Sequence, residues 1–219
     1  GIERDMSHQL SDGQTVAPIL GESESGLYIL RHSCAHLLAQ AILEFNPDAK
    51  PTIGPPIDNG FYYDFHMDPI TDEDLQAIEK RMKALVKANL QVEREEHDNE
   101  TLRSMFADNP FKIEIMDDKI GEGAGSSVYR QGDFVDLCRG PHVPTTAMLR
   151  WFKLTSTSTC YWKADASRES LVRIYGWCFA TKEALQNHET LMREASKRDH
   201  RKLGKELQLF HIDEMVGQG

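Results

Sequence analysis

An α+β fold, in which an antiparallel sheet packs against a histidine-bearing helix and a further helix closes the C-terminal side, is predicted by three observations. Apolar residues recur at helical spacing in 27–45 and 72–88, and a charged helical stretch covers about 182–207. Short aromatic or alternating runs fill the intervals between these segments, and Gly, Pro and Asn-Gly punctuation bounds the runs as turns.

Residues 1–23, including Gly13-Gln-Thr-Val-Ala-Pro18, read as a strand or two followed by a linker, the tail of a preceding domain. From Leu27 to Phe45 the stripe Leu27, Leu30, Cys34, Leu37, Ala41 and Phe45 is helical and stops at Asn46-Pro47. His32 and His36 sit one turn apart on the other side, beside Ile29 and Leu43. A helix apolar on both sides is a wall between a core and something else, and the histidines line the second side. Gly54-Pro-Pro56 and Asp58-Asn-Gly60 are turns before an aromatic strand, Phe61 to Met67. The next helix, 72–88, has Thr71 and Asp74 placed as a capping box and Leu75, Ile78, Met82 and Leu85 as its buried face. In Phe111-Lys-Ile-Glu-Ile-Met116 the alternation predicts a strand with Lys112 opposite Phe111, Ile113 and Ile115, which lets Lys112 reach a polar site. Gln131-Gly132 marks a hairpin turn, after which Phe134, Asp136 and Cys138 share one strand face until Arg139-Gly-Pro141 ends it. Strands over about 151–162 and 171–180 complete the sheet, and the final helix follows.

With 219 residues and 40% hydrophobic content the chain can bury a full domain core. No apolar run is long enough for a membrane span, and no basic-then-apolar leader is visible, so the expectation is a cytoplasmic protein without a membrane partner. Four cysteines, Cys34, Cys138, Cys160 and Cys178, suit reduced thiols better than a disulfide framework. The net charge of -10 argues against a general nucleic-acid coat, yet 191–205 holds six Lys or Arg against two acids. Such a stripe is commonly only a solvated helix face.

Two spaced pairs carry the chemistry: His32-x-x-x-His36, and Cys138-x-x-x-His142 within Asp136-Leu-Cys-Arg-Gly-Pro-His142. Each pair alone is a weak signal. Together they have the count and chemistry of a three-histidine, one-cysteine zinc site, either closed and structural or open and water-activating. Two metal-free alternatives stay open: histidine and lysine activating water while Asp136 tunes them, or nucleophilic attack by Cys138 with a histidine base.

The strings Arg31-His-Ser-Cys-Ala-His-Leu-Leu38, Ile53-Gly-Pro-Pro-Ile-Asp-Asn-Gly-Phe-Tyr-Tyr-Asp64 and Val135-Asp-Leu-Cys-Arg-Gly-Pro-His-Val-Pro144 closely resemble the editing domain of bacterial threonyl-tRNA synthetases. The resemblance continues through Tyr161-Trp162, Arg173-Ile-Tyr-Gly176 and 197–205, and so covers essentially the whole chain. It implies a remnant of a ubiquitin-like domain at 1–23, an editing domain at 24–182, a linker helix at 183–206 and the start of an aminoacylation domain at 207–219. The implied activity is hydrolysis of mischarged seryl-tRNA(Thr), with the parent protein ligating threonine to tRNA(Thr) by means of ATP.

On that resemblance His32, His36, Lys112, Cys138 and His142 are expected to be catalytic, with His32 positioning water or transferring a proton and Lys112 stabilising the oxyanion or taking part in proton transfer. Asp136, Tyr63 and Asp58 are expected to bind substrate, and Arg198, Arg201 and Lys202 to contact tRNA. No cofactor is implied for editing; if zinc is bound, His32, His36, Cys138 and His142 are its ligands, as in the related alanyl enzymes. ATP and the resident zinc are expected only in the aminoacylation domain, and the chain is expected to be a monomer whereas the parent is expected to be a homodimer. Two departures stand out: Lys163-Ala164-Asp165 occupies the place of Arg-Gly-Asp, and Cys160 that of an alanine. The rival reading is a zinc-stabilised RNA-binding module without catalysis.

Overall fold

The computed structural model describes residues 2–119 and 125–198, which divide after Ala180 into two compact units. In the first, helix α1 (Glu24–Phe45) starts at Ser23, whose Oγ accepts from the Gly26 N–H at 3.1 Å. Every residue from Ser33 to Ile42 is buried, so α1 is enclosed on all sides along its middle. Helix α2 (Asp72–Ala88) opens on the anticipated capping box, Thr71 with Asp74, and buries Leu75, Ile78, Met82 and Leu85.

Strands β1 (Lys50–Pro51), β2 (Pro56–Ile57) and β3 (Gly60–His66) form one sheet with β7 (Trp151–Tyr161) and β8 (Ser170–Phe179). Its path is β1-β3-β8-β7, with β2 also on β3, and all pairings are antiparallel. Strands β4 (Val92–His97), β5 (Ser126–Gln131) and β6 (Phe134–Leu137) form a second antiparallel sheet. The α+β class is as expected, but the strands divide between two sheets. Strand β4 escaped the sequence reading because Val-Glu-Arg-Glu-Glu-His has no apolar alternation; it is a polar edge strand, the kind that resists edge-to-edge pairing.

Helix α1 packs on β3, β8 and α2, and the main core gathers Leu37, Leu38 and Ile42 with Phe61, Phe65, Ile78, Met82 and Ile174. Each such side chain contributes about 1.5–3 kcal/mol by leaving water. A second cluster joins Leu102 of α3 (Asn99–Met105) and Phe106 to Met116 and Val128.

Two expectations are corrected. Residues 111–116 are not a strand but part of helix α4 (Pro110–Lys119). Pro110 fits the first helical turn, where its missing N–H is not needed, and Asn109 Oδ1 accepts from Phe111 N at 3.2 Å and Lys112 N at 3.3 Å. Residues 2–23 form turns and irregular chain without a strand. In the second unit, helix α5 (Lys182–Lys197) starts at Thr181, whose hydroxyl accepts from Ala184 N at 3.2 Å. Among the expected tRNA contacts, Arg198 is exposed at the C-terminal cap of α5, while Arg201 and Lys202 lie outside the described residues.

Candidate functional site

The site lies where the buried turn of α1 meets the end of β6 and the loop that follows it. His32 and His36 reach it from α1, Asp136 from β6, Cys138 and His142 from the loop, Tyr63 from β3 and Lys112 from α4. Gly140 shapes that loop: it has φ +70°, and a Cβ there would stand 1.8 Å from the Tyr129 hydroxyl. Gly54 serves the other wall, since a Cβ at that position would strike the Tyr63 ring at 2.2 Å.

Cys138 Sγ lies 3.3 Å from His32 Nε2 and 3.2 Å from His142 Nε2. His142 Nδ1 is 3.0 Å from Ser33 Oγ, which also accepts from the Val143 N–H at 3.0 Å. The three imidazole rings cluster, with centroids 4.2–5.3 Å apart. Beside them Asp136 accepts from Tyr63 O–H at 2.6 Å and from the Leu137 N–H at 2.8 Å, and pairs with Lys112 Nζ at 2.5 Å. Lys112 Nζ also donates to the Tyr63 hydroxyl at 3.1 Å.

Burial sets the protonation states. It lowers His32 to about 4, against a smaller opposing pull from Asp136. His36 and His142 fall well below the ordinary histidine value, again through burial first and then through the neighbouring imidazoles, with Lys112 adding to the effect on His36. All three imidazoles are therefore neutral near pH 7. His36 Nε2 stands 3.6 Å from Asp136, but with a neutral ring this is no ion pair, and Lys112 is the cation that answers the carboxylate. Burial pushes the Cys138 thiol up to about 12, against the Gly140 N–H that donates to its sulfur. A protonated thiol is a poor nucleophile, so the metal-free site does not favour attack by sulfur. Burial and Asp136 also raise the Tyr63 phenol, which stays a donor.

His32, His36, Cys138 and His142 each offer one donor atom, all within 4.8 Å of one another, and three imidazoles with one sulfur are a donor set zinc accepts. His32 Nδ1 is buried without a hydrogen-bond partner, the only side-chain atom so placed among the described residues. These residues fit a metal ion, and they equally fit a water held by an imidazole.

His32, His36, Tyr63, Lys112, Asp136 and Cys138 line one cavity of about 370 Å³. His142 stands directly behind Cys138. Asp58 is not brought to this wall: it is exposed in the turn between β2 and β3. Lys112 arrives from a helix instead of a strand. Sequence reasoning passed over Ser33, whose place between His32 and Cys34 in the quoted motif was its only signal, and Tyr28 and Arg139, which line the mouth of the cavity.

Residues 126–175 match the family described as "Threonyl and Alanyl tRNA synthetase second additional domain". That span holds Asp136, Cys138 and His142, while the α1 histidines and Lys112 precede it. The chain is 45% identical to the threonine–tRNA ligase of Thermobifida fusca, with all of this chain and 36% of that protein covered. It is 48% identical to threonine–tRNA ligase 1 of Bacillus subtilis (100% and 34% covered) and 50% identical to the enzyme of Dehalococcoides mccartyi (98% and 35%). The chain thus spans about a third of the length of the curated relatives it matches.

Proposed function

From the premise that the chain belongs to the threonyl-tRNA synthetase family and carries its N-terminal, editing-type region, we propose that its site hydrolyses the ester of seryl-tRNA(Thr), releasing serine and free tRNA. A synthetase for threonine must reject serine, which lacks one methyl. A missing methyl is worth only about 1–3 kcal/mol of binding, or roughly 10–200-fold, so a second, hydrolytic site supplies the remaining fidelity.

The observation that carries the reading is the neutral His32 imidazole on the cavity wall, with its Nδ1 buried and without a hydrogen-bond partner. With the Cys138 thiol donating to His142 Nε2, His142 Nδ1–H to Ser33 and His32 Nε2–H to the sulfur, His32 Nδ1 keeps a free lone pair. That nitrogen accepts a proton from water as the water oxygen attacks the ester carbonyl carbon. The Lys112 ammonium, held by Asp136 and Tyr63, faces the charge that develops on the carbonyl oxygen. Collapse of the tetrahedral intermediate breaks the bond to the ribose oxygen, which takes the proton back. A carboxylate accepts about four hydrogen bonds, and Asp136 uses three, leaving one Oδ2 position for the seryl ammonium.

A zinc ion held by His32, His36, Cys138 and His142 would supply Lewis-acid character to the same cavity. The donor geometry favours this second reading enough for the test to address it. Serine release from seryl-tRNA(Thr), compared with threonine release from threonyl-tRNA(Thr), is measured with and without a chelator. Faster serine release that resists the chelator is expected; release abolished by the chelator with the fold intact assigns the zinc reading, and release from neither substrate refutes the hydrolytic one.

A further inference from the structure

Helix α4 presents Lys112 inward and Glu114 outward, because residues two apart on a helix lie about 200° apart around its axis. The outward face is not left to solvent. Glu114 Oε2 accepts from Trp162 Nε1 at 2.9 Å and Arg168 Nη2 at 2.8 Å, and Glu114 Oε1 takes Arg168 Nη1 at 3.2 Å and Lys163 Nζ at 2.7 Å. All three donor residues come from the segment joining β7 to β8. Lys163 also pairs with Asp118, one turn further along α4. Under this polar hub Phe111 meets the Trp162 ring edge-on, centroids 5.2 Å apart, within a small cluster that includes Leu171. Arg168 and Lys163 hold Glu114 ionised, with its carboxyl lowered to about 2.

The connecting segment takes an unusual backbone to make these contacts. Lys163 (φ +52°) and Ala164 (φ +59°) are consecutive non-glycine residues in the left-handed region, where side chains are disfavoured. On the opposite side of the helix the Lys112 ammonium is 5% exposed and bonded to Asp136 and Tyr63. On its outer face this ten-residue helix is held by the hub and, one turn further on, by the Asp117–Arg103 ion pair, and the hub is the tether nearest Lys112 in the chain.

We propose that Glu114 is a positioning residue of the hydrolytic site: by locking the outer face of α4 to the β7–β8 segment, it fixes where the Lys112 ammonium sits in the cavity. This inference rests on the hydrolysis proposed above, which makes Lys112 a participant. It predicts that the hub sets turnover and not substrate affinity. A misplacement of about 1 Å in a positioning group can cost on the order of 100-fold in rate.

The test has two readouts on the full chain and its Glu114→Ala, Glu114→Gln and Arg168→Ala variants. The first is the single-turnover rate of serine release from seryl-tRNA(Thr) across a range of protein concentrations. The second needs no activity: the rate at which Lys112 is acylated by an amine-reactive ester, read by mass spectrometry. Expected for Glu114→Ala is a drop of about 10-fold or more in the maximal rate with the half-saturating concentration unchanged. Lys112 should be acylated several-fold faster. Glu114→Gln, which can still accept from Trp162 and Arg168, should recover part of both. Arg168→Ala removes the two guanidinium contacts to Glu114 at a partly exposed position and should move both readouts in the same direction by a smaller amount, even if Glu114→Ala fails to fold. Unchanged Lys112 acylation in the folded variants overturns the inference, whatever happens to the rate. An inactive parent chain whose Lys112 acylation nevertheless responds to the hub would sink the hydrolysis proposal and leave the placement of Lys112 standing.

Discussion

Lys112 on α4 and Asp136 on β6 form an ion pair at 2.5 Å with side chains only 5% and 4% exposed, sealed by the Tyr63 hydroxyl that touches both. A pair this deep gains its attraction at the expense of lost hydration, so the two halves depend on each other. Lys112→Met strands the Asp136 charge and should cost about 3–5 kcal/mol in urea unfolding. Adding Asp136→Asn to that variant removes the stranded charge and should recover part of the loss. A double variant as unstable as the sum of the two singles would show that the residues act independently.

Protonation of the histidine cluster should appear in stability. The folded chain holds His32 at about 4 and His36 and His142 also below their ordinary value, whereas the unfolded chain takes up protons near 6.5. The unfolded state therefore binds more protons between these values. Stability is complete above about pH 6.5 and falls as pH drops toward 4, with His32 alone removing about 2 kcal/mol by pH 5. Glu95 and Glu114, lowered to about 2 in the folded chain, lose their contribution only as pH falls below their ordinary value near 4.5, so the interval from pH 7 to 5 reports the histidines. Urea midpoints at pH 7, 6 and 5 check it, and a midpoint that rises on acidification contradicts the assignment of neutral imidazoles.

Ala164 stands at φ +59°, in the left-handed region that favours glycine. Substituting Ala164→Gly should relieve the left-handed strain and stabilise the chain by about 1 kcal/mol, net of the greater freedom of glycine in the unfolded state. Thermal unfolding of the variant reads this directly. A lower melting temperature would mean that the Ala164 methyl contributes packing that outweighs the strain.

Helix α1 and α2 could be read because their apolar spacing and caps agree: Thr71 and Asp74 announce α2 as clearly as its buried face does. That Asp136 and Cys138 face the same way followed from alternation up to a glycine-proline stop, and His142 from its spacing to Cys138. Helix α4 was misread since Phe-Lys-Ile-Glu-Ile-Met alternates as a strand does, while the signal that decides it, Asn109-Pro110 at a helix start, lies just outside that run. On the helix Lys112 lies about 100° from Phe111 instead of opposite it, and both are buried, Phe111 against Trp162 and Lys112 against Asp136 and Tyr63. The placement of Asp58 could not be read, since a turn residue beside a motif carries no information on which wall it joins. The hub at Glu114 was invisible for another reason: its partners are 48 to 54 residues away, and only the folded chain brings them together.

The most direct test of the central claim is the single-turnover rate of serine release from seryl-tRNA(Thr), with chelator present, for the chain and its His32→Ala variant. Loss of a general base costs about 100- to 10,000-fold, so rapid release by the parent chain and a collapse of that size in the variant are predicted. Equal rates in the two would place the chemistry elsewhere and contradict the role assigned to His32.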